Sequence, residues 1–303
     1  MTQKTKQEAK IKNYSPLRYP GGKSKLAPFV SLIIEKSNLH LPIYIEPFAG
    51  GAGIALELLF NGTVSEIVIN DYDKAIYSMW RAILTQTRKF IKLIEDTPVN
   101  VAEWKKQKII YSTQNDKYSL ELGFATFYLN RTNRSGILSA GPIGGYDQTG
   151  DYPITARFNK NELIHRIKQI AKHRHKIHLY NQDVRTFMSV YAQKYIMNAF
   201  VYFDPPYYKK GKMLYKNFFE HDDHAQIRDL IVGLHCHWMV TYDDVLEIRE
   251  IYNQYQGYNF DLVYGAANTG VTSEIMFLSS PSLVPKGNEM EVKKININFR
   301  RIN

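Results

Sequence analysis

The chain has 303 residues, 44% of them hydrophobic, enough for a sizeable core in one or two domains. Its single cysteine, Cys236, excludes a disulfide framework and a cysteine-built metal site, and no apolar run reaches the length of a membrane span. A net charge of +10, with 22 tyrosines, favours a polyanionic partner that also offers flat rings for stacking. Residues 1–15 read as a disordered basic arm, lysine-rich and unlike a signal peptide, so the expected location is cytoplasmic.

Next comes Leu17-Arg18-Tyr19-Pro20-Gly21-Gly22-Lys23-Ser24. Two glycines after a proline predict a tight turn whose backbone amides approach a ligand closely. Ser24 is placed to cap a helix with Leu26, Phe29, Val30, Ile33 and Ile34 on one face. The stretch lacks the first glycine of a phosphate loop and no strand precedes it, which excludes an NTPase reading. A strand then runs into Glu46-Pro47-Phe48-Ala49-Gly50-Gly51 and a helix over 54–60. Strand, glycine turn and helix make the first half of a nucleotide-binding unit. The strand 66–69 ends in Asn70-Asp71, and an acid there can accept both hydroxyls of a ribose. Asp73 is the expected cap of the next helix, 74–84; in a second reading both acids only cap that helix.

From 85 to 158 the alternation of strand and helix stops, and helical patterns appear at 89–96, 101–111 and 119–130. Arg131, Asn133 and Arg134 follow, then a glycine-rich loop, 141–150. Arginine and asparagine in a loop can bond base edges; the other reading of Arg131 is a partner of an acid inside the protein. A helix over 160–173 leads to His165, His173, His175 and His178. These lack carboxylate or cysteine partners at ligand spacing, so no metal is expected. After the short strand 177–180, Asp183 stands before a helix over 184–192, which it can cap.

The apolar run Val201-Tyr202-Phe203 reads as a buried strand stopped by Asp204-Pro205-Pro206-Tyr207. Two prolines fix the turn, so an acid and an aromatic sit at the carboxyl end of a strand, where open α/β sheets bind ligands. The Asp204 carboxylate and the Pro205 carbonyl are two acceptors, and Tyr207 is a flat face. Together they suit a planar group that carries an amino function. Lys209, Lys210 and Lys212 follow and are expected on phosphates. An amphipathic helix over 222–234, a strand at 238–241 and an antiparallel hairpin of 258–264 with 274–278 close the sheet, and 281–303 read as a polar tail.

In this order, these stretches resemble the Dam-like class of DNA adenine-specific (N6) methyltransferases. The resemblance rests on Glu46-Pro47-Phe48-Ala49-Gly50-Gly51, on Asp204-Pro205-Pro206-Tyr207 and on the sequence of donor loop, insert and catalytic turn; it covers residues 16–279. It implies a Rossmann-like α/β sheet of seven strands, mainly parallel with an antiparallel hairpin at one edge. The catalytic domain would comprise 16–84 and 159–280, with a helical target-recognition insert at 85–158. The implied methyl donor is S-adenosylmethionine, held by Tyr19, Lys23, Glu46, Phe48, Gly50, Asp71, Asp183 and Asp204. Lys23 would lie near the donor's carboxylate and Asp183 on its adenine amino group; for Lys23 a solvated surface position is the other reading. The transfer itself would fall to Asp204, Pro205, Pro206 and Tyr207, acting on an adenine turned out of double-stranded DNA. The family often has a Cys-Phe or Asn-Phe pair where this chain has Asn133-Arg134, so base contacts are not carried over. A monomer or weak dimer is expected, with a cognate restriction or defence component as a further partner. Two alternatives stand beside this reading: an amino-methyltransferase acting on cytosine or RNA, and a catalytically inactive DNA-binding module.

Overall fold

The computed structural model describes residues 14–18, 23–113, 118–209, 219–262, 272–293, 295, 297 and 299–302. Tyr19, Lys210, Lys212 and the basic arm up to residue 13 lie outside them.

The frame is a mixed sheet of eight strands in the order β3-β2-β1-β4-β5-β7-β6-β8. These are β1 (Ile43–Glu46), β2 (Glu66–Asn70), β3 (Ile177–Tyr180), β4 (Ala199–Phe203), β5 (His237–Asp243), β6 (Tyr258–Leu262), β7 (Thr272–Leu278) and β8 (Phe299–Arg301). The first five positions in the sheet run parallel, and β7, β6 and β8 pair antiparallel. Every residue of β4 is buried, as expected of a parallel strand covered on both faces. The chain leaves β1 for β2 on one side and returns to β4 on the other. That reversal opens a crevice beyond the carboxyl ends of β1 and β4.

The expected sheet of seven strands is one short. The eighth, β8, comes from the stretch read as a polar tail, where Phe299 stacks on Tyr258 with ring centroids 4.8 Å apart. Three residues carry too little alternation to announce a strand.

Helices α1 (Ala27–Lys36), α2 (Gly53–Phe60), α3 (Lys74–Thr85), α4 (Thr87–Asp96), α5 (Val101–Ser112), α6 (Leu120–Thr132) and α7 (Lys160–Lys172) precede β3. Apolar residues of the helices in 85–158, such as Phe90, Phe124 and Phe127, join one buried cluster with Tyr44, Ile67 and Ile69 of the sheet. Leu122 to Thr132 of α6 are all buried. At Gly123 a Cβ would meet the Ser78 carbonyl oxygen at 2.6 Å, so α6 lies backbone to backbone on α3. A second buried cluster, with Val201, Phe203, Val240 and Ile227, packs the other face.

Candidate active site at the carboxyl edge of the sheet

Glu46, Asp71 and Asp204 stand at the ends of three neighbouring strands, β1, β2 and β4. The turn after β1 is held by Asp71. Its Oδ2 accepts from the Gly50 amide at 2.8 Å and its Oδ1 from the Asp73 amide at 2.9 Å. Gly50, at φ 46°, and Ala52, also at φ 46°, take the left-handed conformation that this turn needs. Trp80 of α3 donates to the Gly50 carbonyl at 2.8 Å. A Cβ on Gly53 would collide with the Ser24 hydroxyl, so the start of α2 packs directly on the segment after Lys23. Asp73 caps α3 through the Ala75 amide, as expected.

Asn70, which sequence reasoning did not single out, ties the three loops together. Its Nδ2 donates to the carbonyls of Pro47, at 3.0 Å, and Gln182, at 3.1 Å, and its Oδ1 accepts from the Gln182 amide at 2.9 Å. Asp183 performs the capping reading: its Oδ1 accepts from the Arg185 amide at 2.9 Å, and the Arg185 guanidinium pairs with it. Burial raises the Asp183 pKa, but the Arg185 bonds win and hold it below the ordinary carboxylate range. Phe48 lies half-buried, edge-on to Phe219.

Charge in this pocket is dominated by acids. Burial pushes Asp71 up to about 7, helped by Asp73 and opposed by the two amides it accepts from. Glu46 is 5% exposed, and its Oε2 has no hydrogen bond among the described residues. Burial first, then Asp204 and Asp71, push its pKa well above the ordinary value. A cradle of glycine backbone lined by Glu46, Asp71 and Asp204 fits a nucleoside-type ligand that brings hydroxyls and positive charge.

At Asp204 the expected roles rearrange. Lys23 is neither solvated nor alone: its Nζ lies 2.5 Å from Asp204 Oδ1, 2.7 Å from Glu274 Oε2 and 2.9 Å from Thr241 Oγ1. Its side chain is 3% exposed. Burial pulls the Lys23 pKa down, yet the two carboxylates raise it overall, so it stays charged. Asp204 is raised by burial, and Glu274 adds to this while Lys23 opposes it. Thr241 Oγ1 donates to Asp204 Oδ1 at 3.1 Å and lies 2.8 Å from the Tyr202 hydroxyl. The Tyr207 hydroxyl donates to Glu274 Oε1 at 2.7 Å, and Lys23 Nζ sits 5.4 Å from the Tyr207 ring centre. Asp243, at the end of β5, accepts from the amides of Tyr208, at 2.8 Å, and Lys209, at 3.1 Å, which anchors the chain leaving the turn. Pro205 is buried and Pro206 half-buried between these anchors. Glu274 in β7 and Thr241 in β5 were missed because neither strand has a motif of its own, and an isolated Glu in a strand reads as surface.

The residues expected on base edges separate. Asn133 is fully buried. Its Oδ1 accepts from Trp104 Nε1 at 2.6 Å, and its Nδ2 donates to the carbonyls of Ile137 and Leu138 at 2.8 and 3.2 Å. With its amide used in this way it holds the turn after α6 closed. Arg131 is 8% exposed, and its Nε donates to the Arg157 carbonyl at 2.8 Å. Among the described residues, no acid pairs with it directly. Burial first, then Arg166 and Arg18, hold its pKa down to about 9, with Glu162 opposing, so it remains a cation at neutral pH. Arg134 alone of the three is exposed. Neighbouring Asn130 bonds both backbone groups of Arg18: its Oδ1 accepts from the amide at 2.7 Å and its Nδ2 donates to the carbonyl at 2.8 Å. Arg18 is thereby stapled to α6.

A family model described as "D12 class N6 adenine-specific DNA methyltransferase" matches residues 19–266. The chain is 22% identical over 205 residues to the type II methyltransferase M.MjaIII of Methanocaldococcus jannaschii, covering 63% of this chain and 68% of that protein. It is also 22% identical over 201 residues to the type II methyltransferase M1.LlaDCHI of Lactococcus lactis subsp. cremoris, covering 63% of this chain and 64% of the relative. A match of this extent, over a fold whose sheet edge gathers both motifs, settles the family: the chain belongs to the D12 class N6 adenine-specific DNA methyltransferases.

Proposed function

We propose that the protein transfers a methyl group from S-adenosylmethionine to the exocyclic amino group of an adenine turned out of double-stranded DNA at specific sites. The observation that carries this reading is the state of Asp204. One oxygen, Oδ1, is held by Lys23 and Thr241, and the side chain remains 28% exposed at the mouth of the crevice. A carboxylate held at one oxygen presents the other in a fixed direction. The adenine nitrogen is a weak nucleophile because its lone pair is delocalised into the ring, and the base must leave the stack to reach any donor. Asp204 and the Pro205 carbonyl accept hydrogen bonds from the two N–H groups of the amine, which favours a pyramidal nitrogen with its lone pair free, and the proton is lost only after the nitrogen has been methylated. Tyr207 stacks on the base. Alignment and fixed charges then supply much of the rate. The donor, when bound, contributes an electrophilic methyl on a sulfonium. Asp71 is assigned to its ribose, and Glu46, Phe48 and Gly50 to the cradle around it. We also assign Lys23 to the catalytic carboxylate rather than to the donor's.

Within 85–158, the proposed recognition insert, Arg134 is our candidate for base readout. Arg131, with Arg18, Arg157 and Arg166 about it, is assigned to phosphate, because a buried cation among cations calls for an anionic partner. Lys209, Lys210 and Lys212 are assigned to phosphates next to the turned-out base. We further propose a cytoplasmic monomer or weak dimer that acts with a cognate restriction or defence component.

The test is transfer of tritiated methyl from S-adenosylmethionine to duplex DNA, followed by digestion to nucleosides. Label in N6-methyladenine, absent with Asp204→Ala, is the expected result. Label in cytosine, in RNA only, or nowhere would overturn it.

A further inference from the structure

Glu274 lies in β7, in register with Asp243 of β5 and Phe260 of β6, and is 2% exposed. A carboxylate this deep is costly unless it is paired. Its two oxygens take different partners. Oε1 accepts from the Tyr207 hydroxyl at 2.7 Å, and Oε2 lies 2.7 Å from Lys23 Nζ, whose other ionic contact is Asp204 at 2.5 Å. One buried anion thus reaches both working parts of the catalytic turn: the ring expected to stack on the base, and, through Lys23, the carboxylate expected to accept from its amino group. Neither motif in the sequence includes it.

We propose that Glu274 is the positioning residue of the transfer site, fixing the Tyr207 ring against Asp204 and setting the net charge of the Lys23–Asp204–Glu274 trio at minus one for a cationic methyl donor. This rests on the reading of the site given above. One lysine faces two carboxylates, so the formal charges of these three side chains sum to minus one. A sulfonium donor cancels it. The demethylated product, neutral at sulfur, does not. Tyr44 and Tyr202 stay neutral because burial raises both. Without Glu274 the trio would be neutral, Lys23 would satisfy Asp204 fully, and the preference for the charged form of the ligand would shrink.

The prediction separates this role from mere support of the fold. Glu274→Gln should slow single-turnover methylation by about tenfold or more, with donor and DNA both saturating. It should weaken S-adenosylmethionine relative to S-adenosylhomocysteine by about threefold or more in calorimetric Kd. Glu274→Asp keeps the charge and should lose rate while leaving that ratio unchanged. Tyr207→Phe should likewise lose rate at an unchanged ratio. Lys23→Met combined with Glu274→Gln returns the trio to minus one and should restore the ratio, though not the rate. If Glu274→Gln weakens both ligands equally, or keeps its rate within threefold of the parent, the proposal falls. If Glu274→Gln does not fold, Glu274→Asp and Tyr207→Phe decide: normal rates in both would overturn it. Failure of the parent protein itself to methylate adenine would instead sink the functional reading, a result visible before any variant is made.

Discussion

The edge of the sheet and the end of α6 use buried charge in opposite senses. At the sheet edge Glu46, Asp71, Asp204 and Glu274 gather around Lys23, and burial raises Glu46, Asp71 and Asp204 above their ordinary values. At the end of α6, Arg131 is buried among Arg18, Arg157 and Arg166, and burial with repulsion holds it down. Among the described residues, Lys23 faces two carboxylates directly, and Arg131 has three arginines about it with Glu162 paired to Arg166. The acidic cluster suits a donor that carries positive charge, the basic one suits phosphate. On the proposed reading, the contrast teaches that this fold leaves part of the charge compensation at its two ends to the donor and to DNA. Asn130 staples the two regions together, through paired bonds between α6 and Arg18.

The largest expected effect lies at the acidic end. Asp204→Ala should lower the single-turnover rate by a factor on the order of 10³, while the calorimetric Kd for S-adenosylmethionine changes little. Equal losses in both would mean that Asp204 serves the donor, and the two roles of this edge would merge.

Next in size is the link. Asn130→Ala strands the Arg18 backbone amide and carbonyl and the Gly136 carbonyl, which its Nδ2 also reaches at 2.9 Å. It should cost about 3 kcal/mol in urea unfolding and loosen donor binding as well. A loss of stability with donor affinity intact would show that the staple does not reach the donor loop.

Asp71 sharpens the comparison through pH. Its pKa in the folded chain is raised from the ordinary 3.8 to about 7, by burial first and Asp73 second. The folded state therefore holds this proton more tightly than the unfolded one. The resulting contribution to stability is present at low pH and fades as pH rises from about 4 through 7. Donor binding should move the other way, since on the proposed reading the ionised form accepts from both ribose hydroxyls. Calorimetric affinity should strengthen between pH 6 and pH 8, by about tenfold at most. Asp71→Asn should flatten the profile and weaken binding by about 1–3 kcal/mol. A profile unchanged in the variant would assign the titration to Glu46 instead.

The smallest effect is at the basic end. Arg131→Met removes a cation from among cations, so the thermal midpoint without DNA should hold or rise. The salt dependence of DNA binding should lose about one unit of slope, for every DNA sequence alike. A lower midpoint with the slope intact would make Arg131 a structural residue and break the symmetry between the two ends.

The sequence by itself determined the parallel part of the sheet and the location of the site. Apolar runs ended by Glu-Pro, Asn-Asp and Asp-Pro-Pro leave few ways to build anything but parallel strands whose carboxyl ends carry acids. Glycine at 50 and acid at 71 meet as their types require. The antiparallel hairpin was legible from its apolar runs. Tertiary structure alone decided who pairs with whom. Lys23 and Glu274 are far apart in the chain, and no local pattern brings a lysine from the first loop to a glutamate in β7. Nor does spacing reveal that Asn133 turns inward to Trp104, whereas Arg134, one position on, faces solvent. Strand periodicity is a local property set by steric alternation along the backbone. The partners of a buried charge are set by the packing of elements distant in sequence, where low dielectric makes each unpaired group costly enough to decide the arrangement.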